Sequence, residues 1–163
     1  MKSIFTVLFI SFCAIWMQAQ EIKTEYPATI PEFEFIKIKG DGIYKSSDIK
    51  KNKKTLIGFV SPECIHCLLS LEHLNNNISY LKDINVILVT EYEKEEFMTK
   101  FETLGSNFYS LPSLEILRDS EYEFGAKFKP LSLPTFYLFD KNGKLQTVKR
   151  GSIEINQIFE HLK

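Results

Sequence analysis

Two short, continuously apolar runs constrain the fold of this chain most strongly. Thr55–Val60 and Ile84–Thr90 contain no charged residue, which is typical of strands buried on both faces of a sheet. After the first run, Ser61 and Pro62 supply a helix start, because serine caps helix N-termini and proline suits the first helical position. Apolar residues then recur at helical spacing to about Tyr80. A buried strand, a crossover helix and a second buried strand predict an α/β fold.

The rest of the chain extends this pattern over one domain, which its 163 residues are long enough to form. The predicted elements are a strand and turn over Phe33–Tyr44, an amphipathic helix over Glu93–Leu104 ending at Gly105, a strand over Leu114–Leu117, a helix over Ser120–Phe128, a strand over Leu133–Phe139, a hairpin turn over Asp140–Gly143, a strand over Lys144–Lys149 and a last helix after Gly151. We therefore expect a central mixed sheet, largely parallel and closed by the hairpin, with helices flanking it.

The first twenty residues differ in composition from the rest. Lys2, the apolar run Ile4–Met17 and the small residue Ala19 follow one another in the order of a secretory signal peptide. The run is shorter than the roughly 18 residues that a spanning helix needs, and an uncleaved membrane anchor is the alternative. The predicted units are a signal peptide over 1–19, a polar leader over 20–30 and a folded domain over 31–163. We expect the mature chain to be periplasmic or otherwise exported.

The cysteines indicate redox chemistry. Cleavage of the signal peptide removes Cys13 and leaves Cys64 and Cys67, three positions apart. A single close pair cannot join distant parts of the chain, so bracing the fold does not explain it. In an exported protein, we interpret this Cys-x-x-Cys pair as a redox-active disulfide that exchanges with thiols and disulfides of protein substrates. We expect no cofactor and no metal.

The two cysteines follow a buried strand directly and begin the next helix. Unpaired backbone N–H groups and the positive end of the helix dipole stabilise a thiolate there, and the thiolate is the species that attacks a disulfide. The first cysteine of such a pair is the more exposed, and the second can resolve a mixed disulfide. We therefore predict that Cys64 is the nucleophile and Cys67 the resolving thiol.

With these residues identified, the sequence resembles the thioredoxin-like superfamily, and within it the exported TlpA/ResA-like group of thiol–disulfide oxidoreductases. The resemblance covers nearly the whole chain after the leader. The matching motifs are Pro31-Glu32-Phe33, the strand-to-helix motif over Phe59–Cys67, Leu133-Pro134-Thr135-Phe136 and the hairpin over Phe139–Gly143.

The resemblance implies several expectations. The Leu133–Pro134 bond should be cis, Pro134 should face the two cysteines, and Leu133 should offer its backbone N–H and C=O to a bound partner chain. The segment Ser106–Lys129 is expected to be an insert before the cis-proline strand. The resemblance also favours a reductase role with a membrane-bound electron donor, and we expect a monomer.

The sequence departs from thioredoxin in its acidic residues. Glu63 stands where thioredoxins usually carry tryptophan, and the strand before the motif lacks the buried acid that helps to deprotonate the second cysteine. The base acting on Cys67 is therefore unassigned, with Glu115, Glu121 and Glu123 as candidates.

The residues between the cysteines also differ. Ile65 and His66 stand where thioredoxin has Gly-Pro, so we expect them to tune the redox potential. A histidine before the second cysteine should favour the thiolate and make the couple more oxidising. We expect an intermediate potential, because a single contact with a thiolate contributes only about 1–3 kcal/mol.

Three other functions remain open. A cysteine pair can be half of a zinc site, with His66 and His73 as further ligands, although no second pair is present after the signal peptide. A peroxidase would suit Ser61, three residues before Cys64, although Ile57 stands where the peroxiredoxin pattern has proline. The third possibility is a non-catalytic, chaperone-like binding module.

The net charge argues against nucleic-acid binding, and the residue after the second cysteine argues against covalent haem attachment. The net charge of −1 gives no electrostatic footprint for nucleic acid, and we interpret the lysines over 50–54 as a solvated turn. Covalent haem requires histidine directly after the second cysteine, where this chain has Leu68.

Overall fold

The computed structural model describes residues 26–101 and 106–162. The predicted signal peptide with Cys13, the first part of the polar leader and the predicted helix end at Gly105 lie outside these residues. The strands are β1 (Glu34–Lys37), β2 (Ile43–Lys45), β3 (Thr55–Phe59), β4 (Asn85–Thr90), β5 (Leu114–Arg118), β6 (Thr135–Phe139) and β7 (Leu145–Arg150). The helices are α1 (Ile65–Asn76), α2 (Lys94–Phe101), α3 (Ser106–Tyr109), α4 (Glu123–Phe128) and α5 (Gly151–Glu154), with 3-10 segments over Ser46–Asp48, Ile78–Leu81 and Ile155–His161. None of the helices in the described part is long and apolar enough to span a membrane.

One mixed sheet organises these elements, in the order β2-β1-β5-β4-β3-β6-β7. The predicted mixed sheet is confirmed, and β3, β4 and β5 form its parallel centre. The expectation of a largely parallel sheet is wrong, because four of the six strand pairs in the described residues are antiparallel. Strands β1 and β6 join the centre from either side in the opposite direction, and each continues into a hairpin.

The segment Ser106–Lys129 precedes the cis-proline strand as expected, and it also supplies part of the sheet. Its strand β5 lies between β1 and β4, with Leu114 opposite Val86 and Leu117 opposite Val89. This segment therefore contributes an interior strand to the sheet.

Side chains alternate between the two faces of the sheet and form two cores. Leu56, Leu88 and Phe136 point to the face covered by α1, α2 and the C-terminal segment. On the other face, Phe124 and Phe128 of α4 stack at 4.2 Å between ring centroids and pack against the residues of the second core. The first core contains Cys67, and Cys64 packs against it, so the Cys-x-x-Cys pair lies on this face of the sheet.

Candidate active site

The first cysteine caps the helix that carries the pair. Cys64 has extended backbone angles (φ −92°, ψ 111°), and its Sγ accepts the N–H of Cys67 at 3.3 Å. The predicted helix start at Ser61 is wrong, because Cys64 donates its N–H to the Ser61 carbonyl at 3.3 Å in a turn that precedes the helix. The sulfur of Cys64 therefore takes the place of the side-chain oxygen that usually caps a helix, next to unpaired N–H groups.

The second cysteine lies behind the first, inside the core. Cys67 is fully buried, whereas Cys64 is partly exposed, and both are free thiols in this structure. The Sγ of Cys67 accepts the N–H of Ser61 at 3.4 Å. The same short turn thus holds both sulfur atoms in place, one at the surface and one beneath it.

The environment of Cys67 disfavours its thiolate. Burial raises the pKa of the Cys67 thiol, and the side-chain hydrogen bond with Cys64 raises it further. The N–H of Ser61 lowers this pKa, and the charge of Cys64 raises it. Because desolvation is the largest of these effects, Cys67 stays protonated near neutral pH.

The loop before β6 lies against Cys64. The Leu133–Pro134 peptide bond is cis, as predicted. The Sγ of Cys64 lies 3.8 Å from the carbonyl oxygen of Leu133, toward which it can donate its proton. Pro134 is buried, and its own carbonyl accepts the N–H of Gly151 at 3.0 Å. The structure therefore brings the cis-proline loop and Cys64 together, as the resemblance implies.

Helix α1 and the loop before β6, which make this contact, also carry exposed apolar side chains. Ile65 follows Cys64, Leu69 lies one helical turn further on, and Leu131 and Leu133 belong to the loop. These four residues, here called the apolar rim, are between 39% and 62% exposed. Exposed apolar groups on the two segments that hold Cys64 and Leu133 are a candidate binding surface for a partner chain.

His66 points toward the C-terminal segment. Its side chain is exposed, and its Nδ1 lies 3.3 Å from the hydroxyl of Ser152. Ser152 itself is buried at the start of α5. Sequence reasoning missed Ser152, and no local signal could have found it, because 86 positions separate it from His66.

The other side of Cys64 is polar. Tyr92 donates its hydroxyl proton to the carboxylate of Glu63 at 3.0 Å. Glu93 and Arg118 form an ion pair at 2.6 Å at the carboxyl ends of β4 and β5. Glu63, the residue that departs from the thioredoxin pattern, is therefore hydrogen-bonded to the loop between β4 and α2. Sequence reasoning missed this partner as well.

None of the three carboxylates named as a base lies at Cys67. Glu115 is opposite Ile87 in the sheet register and so faces the second core, away from Cys67. Glu123 pairs with Lys127 at 3.0 Å on α4, which covers that same second face. Glu121 lines a groove with Glu32, also on this side. Strand alternation and the position of α4 are the physical reasons for this correction.

The residues weighed for a metal site are Cys64, His66, Cys67 and His73. Among residues 26–101 and 106–162, no three His, Cys, Asp or Glu side chains are grouped as a bound metal ion would require. His73 lies on α1, where its carbonyl accepts the side-chain N–H of Asn77 at 2.9 Å.

Comparison with known proteins places this geometry in a fold. No protein-family model matches the sequence, and no curated protein matches it. The exposed lipoprotein thioredoxin Etrx1 of Streptococcus pneumoniae is 24% identical, with 81% of this chain and 98% of that chain covered and a TM-score of 0.60. StoA of Bacillus subtilis is 18% identical, with 84% and 100% covered and a TM-score of 0.63. A thiol-disulfide oxidoreductase of Bacteroides fragilis is 18% identical, with 83% and 99% covered and a TM-score of 0.62. With its mixed sheet, its helix-capping Cys64 and its cis-proline loop, the chain has the thioredoxin-like fold that these solved proteins share.

Proposed function

We propose that this chain is an exported thiol–disulfide oxidoreductase that reduces disulfides of protein substrates through Cys64 and Cys67. One observation carries the proposal: the sulfur of Cys64 caps α1 and lies 3.8 Å from the Leu133 carbonyl, while Cys67 is buried behind it. This arrangement provides an accessible nucleophile, a protected second thiol and a backbone edge for the substrate. The similar solved structures support it, because they include a lipoprotein thioredoxin and a thiol-disulfide oxidoreductase.

The first step is attack by Cys64. Its thiolate forms a bond to one sulfur of the substrate disulfide, and the substrate S–S bond breaks. The leaving substrate thiolate takes up a proton from solvent. The helix N-terminus stabilises the attacking thiolate, while the apolar rim and the backbone of Leu133 hold the substrate chain beside Pro134.

The second step is resolution by Cys67. Its thiol loses a proton and attacks the Cys64 sulfur, which releases the second substrate thiolate and forms the Cys64–Cys67 disulfide. The substrate has then gained two electrons and two protons, and the protein has lost them. Formation of the mixed disulfide removes the negative charge of Cys64, which is one of the causes that raise the pKa of Cys67. The Cys67 thiol therefore loses its proton more readily in the mixed disulfide than in the free dithiol.

We infer the direction of electron flow from the resemblance to the exported TlpA/ResA-like group, which favours a reductase, and from the limited effect that His66 can have on the potential. Thioredoxin has a potential of about −270 mV and the strongly oxidising exported enzyme about −120 mV. Reaching the oxidising end requires strong stabilisation of the reduced thiolate. The imidazole of His66 lies 3.3 Å from the Ser152 hydroxyl, so part of its hydrogen-bonding capacity is used there. This contact supports the proposed intermediate potential. The reductase role and the membrane-bound dithiol donor that regenerates the reduced pair are what the resemblance implies.

Export and cleavage of the first 19 residues belong to the same proposal. They rest on the order of Lys2, the apolar run Ile4–Met17 and Ala19. A disulfide reductase has substrates where disulfides form, which is outside the cytosol. We also propose that the domain over residues 31–163 acts as a monomer.

The test is disulfide exchange with a protein substrate. The reduced chain should cleave interchain disulfides of an unrelated secreted protein, and Cys64→Ser should abolish this activity. Cys67→Ser should accumulate a mixed disulfide through Cys64, because the resolving thiol is absent. A Cys64→Ser/Cys67→Ser double variant is the control. Activity that survives in Cys64→Ser would refute the proposal.

A further inference from the structure

Lysines gather at the end of the sheet opposite the cysteines. The segment 50–54 leads into β3, Lys82 comes shortly before β4, and Lys141 and Lys144 lie in the turn between β6 and β7. The register places Thr55 opposite both Asn85 and Phe139, so these three segments meet at one end. We call this surface the basic end. Its members are Lys50, Lys51, Lys53, Lys54, Lys82, Lys141 and Lys144.

Side-chain contacts join these segments into one surface. The side-chain N–H of Asn85 donates to the Lys50 carbonyl at 2.9 Å, and its backbone N–H donates to the Lys54 carbonyl at 2.9 Å. One groove is lined by Lys50, Lys51, Lys53 and Lys141, and a second is lined by Lys50, Lys53 and Lys82. Five of the seven lysines therefore line two grooves that have Lys50 and Lys53 in common.

The charge of this end differs from that of the whole chain, which has a formal net charge of −1. The segments that contain its seven lysines contain two aspartates, Asp83 and Asp140. Asp140 accepts the N–H groups of Asn142 and Lys144 at 2.8 and 2.9 Å, so its carboxylate is already engaged. Five of the seven lysines are exposed, which leaves an excess of positive charge directed to solvent.

The N-terminal part of the chain joins the domain at this same end. Thr29 forms a bridge with Lys144, and Ile30 donates its N–H to the Gly143 carbonyl at 3.0 Å. The inference that follows rests on the proposed export, which would place the mature chain, without residues 1–19, beside a membrane surface. Export also separates the chain from nucleic acid, so anionic phospholipid is the polyanion that this surface would meet.

We infer that the basic end is a docking surface for membranes that contain anionic phospholipids. Lysines near such a surface are attracted to the negative headgroups, and this attraction extends about one Debye length, roughly 10 Å at moderate salt. Cys64 follows the opposite end of β3, which is five residues long, roughly 16 Å at the usual rise of a strand. Docking through the lysines thus directs the cysteines and the apolar rim away from the lipid.

The test compares binding of the mature chain, residues 20–163, to vesicles of two lipid compositions. The ratio of partition coefficients between phosphatidylglycerol-containing and pure phosphatidylcholine vesicles isolates the electrostatic part, because the uncharged contacts with lipid are common to both measurements. Each lysine near an anionic surface raises the partition coefficient roughly fivefold. The variant Lys50→Gln/Lys51→Gln/Lys141→Gln should therefore lower the ratio about 100-fold. High salt should lower the wild-type ratio in the same direction.

A matched control removes the same number of charges elsewhere. Lys94, Lys129 and Lys149 lie outside the basic end, and their triple substitution by glutamine should leave the ratio within about twofold. Equal losses in the two triple variants would overturn the inference. Tighter binding of the wild type to duplex DNA than to the anionic vesicles would overturn it as well.

A second measurement works on the wild-type chain and does not depend on variant folding. Anionic vesicles should protect Lys50, Lys51 and Lys141 from amine acylation, read by mass spectrometry of each peptide. Cys64 should be alkylated as fast with vesicles as without them. Protection of Cys64, or unchanged acylation of the three lysines, would show that a different face binds.

Discussion

Two neighbouring regions of this molecule, the surface around Cys64 and the interior around Cys67, differ in almost every physical respect. Cys64 is partly exposed and lies beside the cis-proline loop. Cys67, one helical turn away, is fully buried and belongs to the same core as Leu71 and Phe136. The helix start explains the difference, because a capping residue lies at the edge of the fold while the third helical residue faces the sheet.

The comparison teaches how one motif can keep two thiols in different states. Exchange requires a thiolate, and burial makes the thiolate of Cys67 unfavourable. The same burial protects Cys67 from reagents in solution until a mixed disulfide has formed on Cys64. The five predictions below test this contrast, beginning with the largest expected effect.

Alkylation of the reduced protein measures the contrast directly. At mildly acidic pH, iodoacetamide should modify Cys64 at least about 100-fold faster than Cys67, because Cys67 is both buried and protonated. Peptide mass spectrometry gives the two rates. In the unfolded chain the rates should become equal, and preferential labelling of Cys67 in the folded protein would reverse the assignment.

The pH dependence of resolution tests the buried thiol. Because the pKa of Cys67 is raised, its thiolate fraction below that pKa should rise about tenfold with each pH unit. A preformed mixed disulfide between Cys64 and a small chromogenic thiol should therefore release that thiol about 100 times faster at pH 8 than at pH 6. Stopped-flow absorbance follows the release. A flat profile over this range would mean that an unidentified base lowers the pKa of Cys67.

Close packing beneath the cysteines can be tested at Gly58 in β3. A Cβ at this position would lie 2.5 Å from Cε1 of Phe136 and 3.1 Å from Cδ2 of Leu88. Gly58→Ala should therefore lower the free energy of unfolding by about 1–3 kcal/mol, measured by urea denaturation. Gly125→Ala is the matched control, since nothing lies within 4 Å of its Cβ. This helical substitution should instead stabilise the protein by about 0.5–1 kcal/mol. Similar losses in both variants would argue against a tightly packed interior.

The exposed region can be tested at Leu133 in the apolar rim. Leu133→Ser should lower kcat/KM for an unfolded protein substrate about fivefold, because part of a leucine side chain no longer contacts the bound chain. Reduction of a small-molecule disulfide should be unchanged. Ile43→Ser alters an exposed isoleucine on β2, far along the sheet from β3, and should leave both rates unaltered. An equal loss for the protein and the small disulfide would assign Leu133 to the chemical step.

The smallest effect is expected at His66. His66→Pro should make the Cys64–Cys67 couple more reducing by about 20 mV, which corresponds to about 1 kcal/mol for two electrons. The shift is small because the imidazole already contacts the Ser152 hydroxyl. Equilibration with defined dithiothreitol ratios measures it. An unchanged potential, or a more oxidising one, would show that His66 does not stabilise the reduced pair.

The sequence alone determined the elements that depend on local pattern. The runs Thr55–Val60 and Ile84–Thr90 became parallel neighbours, and the Cys64–Cys67 pair lies at the start of a helix. These predictions succeeded because continuous burial, chain-breaking residues and helical spacing act over a few residues. The resemblance to thioredoxin-like proteins added the cis bond before Pro134, which no periodicity indicates.

Only the tertiary structure decided which distant residues meet. It put β5 in the middle of the sheet, and the alternation of that strand turned Glu115 away from Cys67. It also brought Ser152 to His66. Strand order and face depend on how the whole chain buries both sides of its sheet, so no local pattern specifies them.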